Sequence, residues 1–297
     1  RRIRVSELAA LVELMRSWLN SRLDSVALAW IDDRVQAIAS GDKKALYLSF
    51  GLVPRKVGKG NLKLTERECN AAIAARHEWN PDRWSIDQLV RSMLVLSFPS
   101  SDIDAYVKTL DQMYSTGEVG ELIALYQTLP LYPNQPAHIL RAAEGIRTNI
   151  KAVFCAVAHH NPFPSEQFSD DQWNQMILKC LFVEVSLRPV IGVDERANPR
   201  LMTMLVDFAH ERRAAHRPIP AELWRGVGTY ADDRAIADLK IVLTTGTGAE
   251  RQAAALALST SRHPAAKAVL AEAPEQAHAI SAGEYSWRTV AAAEQAH

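Results

Sequence analysis

Between residues 136 and 159 the apolar side chains of Ile139, Ala143, Ile146, Ile150, Val153 and Val157 recur at alternating steps of four and three. Only a helix gathers such positions on one face, because 3.6 residues complete a turn. The spacing predicts one unbroken, heptad-striped helix over 136–159. Nowhere does the chain alternate apolar and polar residues through a β-branched run between turn signals, so strands have no comparable support. Helix starts repeat the same message. Thr65 with Glu68, Ser85 with Gln88 and Ser169 with Gln172 each have the spacing of a capping box, and Asn198-Pro199 is an N-cap followed by proline at the first helical position. The expectation is an all-α chain: a stack of helical hairpins, HEAT-like or α-solenoid-like, with irregular proline-rich loops.

Punctuation sets the expected organisation. Breaks are predicted at 51–63 (GLVPRKVGKGNLK), 129–136 (LPLYPNQP), 161–165 (NPFPS) and 217–220 (RPIP). From about 232 the texture becomes alanine-rich. The run 248–259 (GAERQAAALALS) carries small residues on two faces, which suits a helix sandwiched between neighbours. Three segments follow: N-terminal helices over 1–50, a helical core over 51–230, and HEAT-like C-terminal helices over 231–297, together reading as one continuous superhelix.

Composition excludes several functions. Lys and Arg total 34 and so do Asp and Glu, so no basic excess exists to track phosphates and no nucleic-acid partner is expected. The cysteines Cys69, Cys155 and Cys180 are isolated, which argues against a disulfide framework or a structural zinc site and fits reduced thiols in a cytoplasmic setting. The most apolar stretch, 176–185, is interrupted by Lys179 and Glu184 and falls short of the about 20 residues a membrane span needs. No segment resembles a signal peptide, although the chain starts at Arg1 and leaves the question of a preceding leader open. GxSxG, P-loop and dinucleotide fingerprints do not occur.

Candidate chemistry lies between about 141 and 224. Arg141, Glu144, Arg147 and Lys151 form a ribbon beside the apolar stripe, while Gly145 and Asn149 fall on a face of small residues. Glycine inside a helix costs about 1 kcal/mol relative to alanine, so Gly145 implies close packing. In the helix predicted over 198–215, Asp207, His210 and Glu211 share one face at i, i+3 and i+4. They suit either a divalent metal completed by His159, His160 or Glu144, or ion pairs with nearby arginines such as Arg141, Arg147 and Arg212. Asn174 and Lys179 are candidate ligand-facing residues. Asp194 and Arg196 are read as stabilising the start of the helix that follows. Arg55 and Lys59, among the glycines of the 51–63 loop, could hold an anion or simply be solvated.

Seven blocks carry a family resemblance: PRKVGK (54–59), WSIDQLVR (84–91), RAAEGIRTNIKAVF (141–154), HNPFP (160–164), WNQMILKCLF (173–182), GVDERANPRLMTMLVDFAHERRA (192–214) and ELWRGVG (222–228). In this order, the chain from about 45 to 230 resembles the EboA family. Arg213, after His-Glu-Arg, and Gly228-Thr229-Tyr230 depart from the aromatic and proline-aromatic residues expected there.

The resemblance implies a metabolite-traffic protein of bacterial secondary-metabolite operons, which move precursors towards the periplasm. Its expected partners are a small metabolite and other products of the operon, including a membrane prenyltransferase-like protein. The expected placement is cytoplasmic, at or near the inner face of the membrane. The chain is accordingly expected to be a non-enzymatic carrier without a cofactor, with a ligand site drawn from Arg141, Glu144, Arg147, Asn149, Asn174, Lys179, His210, Glu211, Arg55 and Lys59. The alternatives are a hydrolase or isomerase using a divalent metal on Asp207, His210 and Glu211, and a HEAT-like scaffold without a ligand.

Overall fold

Helix follows helix through residues 5–295, the part of the chain that the computed structural model describes. Among the described residues there is no β-strand, and a single isolated bridge pairs Asn61 with Ser85. The chain is all-α. It divides into two compact units, Arg1–Phe168 and Ser169–His297, so the polar residues of interest draw on both.

Unit 1 contains α1 (Val5–Leu19), α2 (Ser25–Ala39), α3 (Lys43–Val57), α4 (Glu66–Ala75), α5 (Ile86–Ser97), α6 (Ile103–Thr116), α7 (Val119–Gln127), α8 (Ile139–Arg147), α9 (Lys151–Ala158) and α10 (Phe163–Gln167). The boxes at Thr65–Glu68 and Ser85–Gln88 close the starts of α4 and α5, as their spacing predicts. Helix α5 is the axis of the core: from Ile86 to Leu96 all residues but Gln88 are buried, and α1, α2, α3 and α7 pack around it. A helix enclosed on all sides is apolar nearly all round. Its two charged exceptions, Asp87 and Arg91, pair with each other at 3.0 Å.

Two expectations fail here for physical reasons. The 51–63 stretch is not all loop, because α3 continues through Gly51 and Pro54 to Val57. Leu46, Phe50, Val53 and Val57 form a buried stripe whose burial outweighs the helix-breaking residues. Pro54 has no N–H to give the Phe50 carbonyl four residues back. Arg91 supplies the missing donor, its Nε lying 3.1 Å from that oxygen and its guanidinium 5.4 Å from the Phe50 ring centre. Nor is 136–159 one helix. It opens with a 3-10 turn over Gln135–His138 and breaks between α8 and α9 at residues 148–150. Thr148 and Ile150 are β-branched, and Thr148 Oγ1 accepts from the Ile150 amide at 3.1 Å, a local turn that competes with the helix. Ile150 consequently leaves the stripe and is exposed.

Unit 2 contains α11 (Asp170–Phe182), α12 (Pro199–Ala214), α13 (Asp233–Thr245), α14 (Gly248–Thr260), α15 (Ala266–Ala271), α16 (Pro274–Ser281) and α17 (Trp287–Gln295), with 3-10 segments at Ala221–Gly226 and Gly228–Tyr230. The Ser169–Gln172 box and the Asn198 cap start α11 and α12. Alanine-rich α14 is the sandwiched helix of this unit, touching α13, α15, α16, α17 and both 3-10 segments. Its buried alanines let the chain at Gly228 come so close that a Cβ there would lie 2.5 Å from the Ala257 carbonyl oxygen.

Candidate functional site

In unit 1 the start of the predicted polar ribbon is tied to α6. Arg141 Nε and Nη2 donate to one oxygen of Asp111 at 3.1 and 2.8 Å, and Nη1 donates to Glu144. Its guanidinium lies 5.0 Å from the centre of the Tyr114 ring, so Arg141 fastens α8 to α6. Glu144, Arg147 and Asn149 are exposed, and Asn149 stands in the break between α8 and α9 rather than on a close-packed face. The close packing belongs to Gly145, where a Cβ would lie 2.6 Å from the Tyr126 ring and 2.8 Å from Val157. Arg55 sits exposed in the last turn of α3 and Lys59 just beyond it. That end of a helix offers carbonyl oxygens, which favour cations, and not the amides that would cradle an anion. His159 is half-buried, and His160 is exposed with a left-handed backbone, φ 52°.

In unit 2 the candidates are woven into structure. Asn174 is buried and exchanges amide hydrogen bonds with Asn198 at 3.2 and 2.9 Å, while Asn198 Oδ1 also accepts the Leu201 amide as N-cap. Lys179 is half-buried, and burial pushes its ammonium below the usual lysine value. His210 Nε2–H donates to the buried Asp238 at 2.6 Å, and its Nδ1 accepts from Arg234 at 3.0 Å. Arg213 also donates to Asp238 at 2.8 Å, while Arg234 pairs with Asp207 at 2.8 Å. Glu211 is exposed. The face shared by Asp207 and His210 thus meets α13 in an ion-pair network whose arginines are Arg213 and Arg234. Among the described residues no three His, Cys, Asp or Glu side chains gather as a metal would require. Asp194 takes a two-pronged contact from Arg225 at 2.8 and 2.7 Å, and Arg196 donates to Asp170, in the first turn of α11, at 2.8 Å.

A half-open cleft of about 290 Å³ lies elsewhere in unit 2, bounded by the end of α11, the segment leading out of α12, and α17. Leu181, Val185, Ile219 and Ala291 give it apolar walls, and Glu184, Glu222, Glu294 and Arg212 give it charge. Glu222 is only 4% exposed. Its Oε1 accepts from the Ser186 hydroxyl at 2.9 Å and the Arg188 amide at 3.1 Å, and its Oε2 from the Leu187 amide at 2.8 Å. Glu294 accepts the Ala221 amide at 2.8 Å. Burial pushes the Glu294 carboxyl above the usual glutamate range, the charges of Glu222 and Glu250 push it further, and the Ala221 hydrogen bond opposes them. Apart from Arg212, named there as an ion-pair partner, none of these residues stands among the candidates read from the sequence. One signal was available: Glu222 is a lone acid among Ala221, Leu223 and Trp224, all buried.

A family model described as "Metabolite traffic protein EboA" matches residues 11–228. The chain belongs to the EboA family. No curated protein and no solved structure matches it. Metabolite traffic is therefore its general role, and among the described residues no helix is long and apolar enough to cross a membrane. The EboA match takes in the cavity walls from Leu181 to Glu222, whereas Ala291 and Glu294 on α17 lie beyond it.

Proposed function

We propose that the chain is a non-enzymatic carrier, which holds a small metabolite precursor in the unit 2 cavity and passes it to partner proteins. In this reading it acts within a bacterial secondary-metabolite operon, on the cytoplasmic side. It delivers its cargo towards the periplasm through a membrane prenyltransferase-like partner. The observation that carries the reading is the cavity itself: small-molecule sites are concave and mainly apolar, with a few fixed polar groups, and this one joins apolar walls to a carboxylate anchored by three donors. Its volume suits a compact metabolite.

Native mass spectrometry of the full chain, co-expressed with its operon, tests the reading. A reproducible organic mass increment is expected, and it should vanish in Ile219→Trp, which fills the cavity, while far-UV circular dichroism stays helical. A bare polypeptide mass together with no association with any operon product would overturn the carrier.

A further inference from the structure

Helix α3 is anchored on one side and bare on the other. Leu46, Ser49, Phe50, Val53 and Val57 are buried, and α2 and α5 pack on this helix. The remaining stripe, Lys44, Tyr47, Leu48, Gly51, Leu52, Arg55 and Lys56, joins neighbours three and four residues apart and is exposed along its whole length. At its middle Tyr47, Leu48 and Leu52 are 39%, 57% and 39% exposed, where a solvated helix face ordinarily carries polar residues. The charge at its two ends has one sign. From Lys43 to Thr65 the sequence holds six cations, Lys43, Lys44, Arg55, Lys56, Lys59 and Lys63, and no Asp or Glu, although the chain as a whole is neutral. Among the described residues no carboxylate pairs with Lys44, Arg55, Lys56 or Lys59. Asp42 is spent on capping α3 through the Ala45 amide, and Glu121, which borders the stripe at Gly51, stands 3.9 Å from Arg91. The continuity of α3 through Gly51 and Pro54 is what brings Arg55 and Lys56 into line below Leu52.

We infer that the outer face of α3 docks on an anionic lipid surface, with Tyr47, Leu48 and Leu52 at the headgroup boundary and Lys44, Arg55, Lys56 and Lys59 on lipid phosphates. An apolar stripe flanked by long basic side chains suits that boundary, because the stems lie along the apolar surface while the charged ends reach the headgroups. The contact is made by side chains, so it does not call on the amides that the C-terminal end of α3 lacks. A second copy of the chain complements the face poorly: antiparallel two-fold pairing of α3 with itself would bring Lys44 of each copy against the cations at the other end, with no acid between them. Every residue of this face belongs to unit 1, so the docking surface stands independently of the carrier reading and of the unit 2 cavity.

Flotation of the full chain with vesicles tests it, comparing phosphatidylcholine alone with phosphatidylcholine containing about 30 mol% phosphatidylglycerol. Binding to the anionic vesicles is expected to be at least about tenfold tighter and to weaken as salt rises above about 0.1 M. Each cation at the surface is worth about fivefold, so Lys44→Glu with Lys56→Glu should lower the affinity by at least about tenfold. Arg251→Glu with Lys267→Glu, exposed cations of unit 2, changes the net charge equally and should leave the affinity within about threefold. Leu48→Gln with Leu52→Gln keeps the charge and should weaken binding by at least about fivefold. All these side chains are exposed, so far-UV circular dichroism and urea midpoints should stay with the parent chain. Equal partition onto the two vesicles, a loss in the unit 2 variant as large as in the α3 variant, or undiminished binding by the leucine variant would each overturn the lipid surface. Failure to bind anionic vesicles also overturns it, and loss of an operon product or of a dimer in Lys44→Glu with Lys56→Glu would then assign the face to a protein. None of these outcomes touches the mass increment by which the carrier is judged.

Discussion

A methyl group added at Gly145 would be favoured by helix propensity and opposed by packing, and the distances decide between them. Alanine gains about 1 kcal/mol over glycine within a helix. Here its Cβ would stand 2.6 Å from Tyr126 Cε1 and 2.8 Å from Val157 Cγ2. Tyr126 has little freedom to yield, since its ring already lies 4.7 Å from that of Tyr114. Overpacking costs about 1–3 kcal/mol, and with the propensity gain subtracted Gly145→Ala should be destabilising by up to about 2 kcal/mol net. Gly228→Ala should cost more, because its Cβ would meet backbone, the Ala257 carbonyl oxygen at 2.5 Å, which no rotamer change can clear. Urea midpoints of the two variants against the parent chain check both the sign and the order. Gly145 was legible in the sequence because a glycine inside a helical stripe demands a reason. Asn149 was not, since its environment depends on a helix break that the stripe conceals. The amide that does bind the packing together is Asn161, buried and joined to the Tyr126 and Ala156 carbonyls and the Phe163 amide. Its proline-rich surroundings read only as a loop.

At the scale of elements, breaker residues and apolar periodicity compete, and the outcome depends on partners distant in sequence. Around Gly51 and Pro54 periodicity wins, because the buried stripe from Leu46 to Val57 continues and Arg91 of α5 satisfies the Phe50 carbonyl that Pro54 leaves open. At 148–150 local turn chemistry wins, since no comparable burial holds Ile150 in the stripe. Arg91 therefore links two blocks of sequence, 54–59 and 84–91, that look unrelated when read along the chain. It pairs with buried Asp87 at 3.0 Å and caps the orphaned carbonyl at 3.1 Å. Replacing it with methionine keeps much of the volume but leaves a buried carboxylate and a buried carbonyl without their donor. Removing one partner of a buried pair costs about 3–5 kcal/mol, whereas replacing both can be nearly neutral. Arg91→Met should fall in that range, and Arg91→Met with Asp87→Leu should recover part of the loss, though not all, because the Phe50 carbonyl stays open. Chemical denaturation of the two variants distinguishes this from simple loss of packing, for which the double change would be the worse.

For the whole molecule, fold class and site differ in legibility because they arise from different ranges of sequence. Helical character is written in steps of three and four residues and in caps three residues apart, so it survived even where single helices broke. The cavity assembles residues 181–186, 212–222 and 291–294, and only tertiary packing brings these together. Stability against acid is also a property of packing, and it concentrates in unit 1. His138 is 2% exposed, its Nε2 lies 3.1 Å from the Pro133 carbonyl, and its ring faces those of Tyr132 and Tyr106. Burial pushes its imidazole from the ordinary 6.5 down to about 4. The folded chain thus binds fewer protons than the unfolded chain between those values. The stabilisation is complete above pH 6.5 and is lost as pH falls towards 4, amounting to about 3 kcal/mol from the shift. Glu68 acts in the next window. Hydrogen bonds from Arg22, aided by those from Thr65, hold its carboxyl at about 2 against an ordinary 4.5. Its stabilisation is present above pH 4.5 and is lost as pH falls through 2; partial exposure reduces it to about 1 kcal/mol. Urea unfolding at pH 7, 5.5 and 4.5 should therefore show stability declining well before carboxylates titrate. His138→Gln, whatever its effect at pH 7, should flatten that decline, whereas Glu68→Gln should leave it unchanged. An equal slope in the parent chain and His138→Gln would place the acid sensitivity elsewhere.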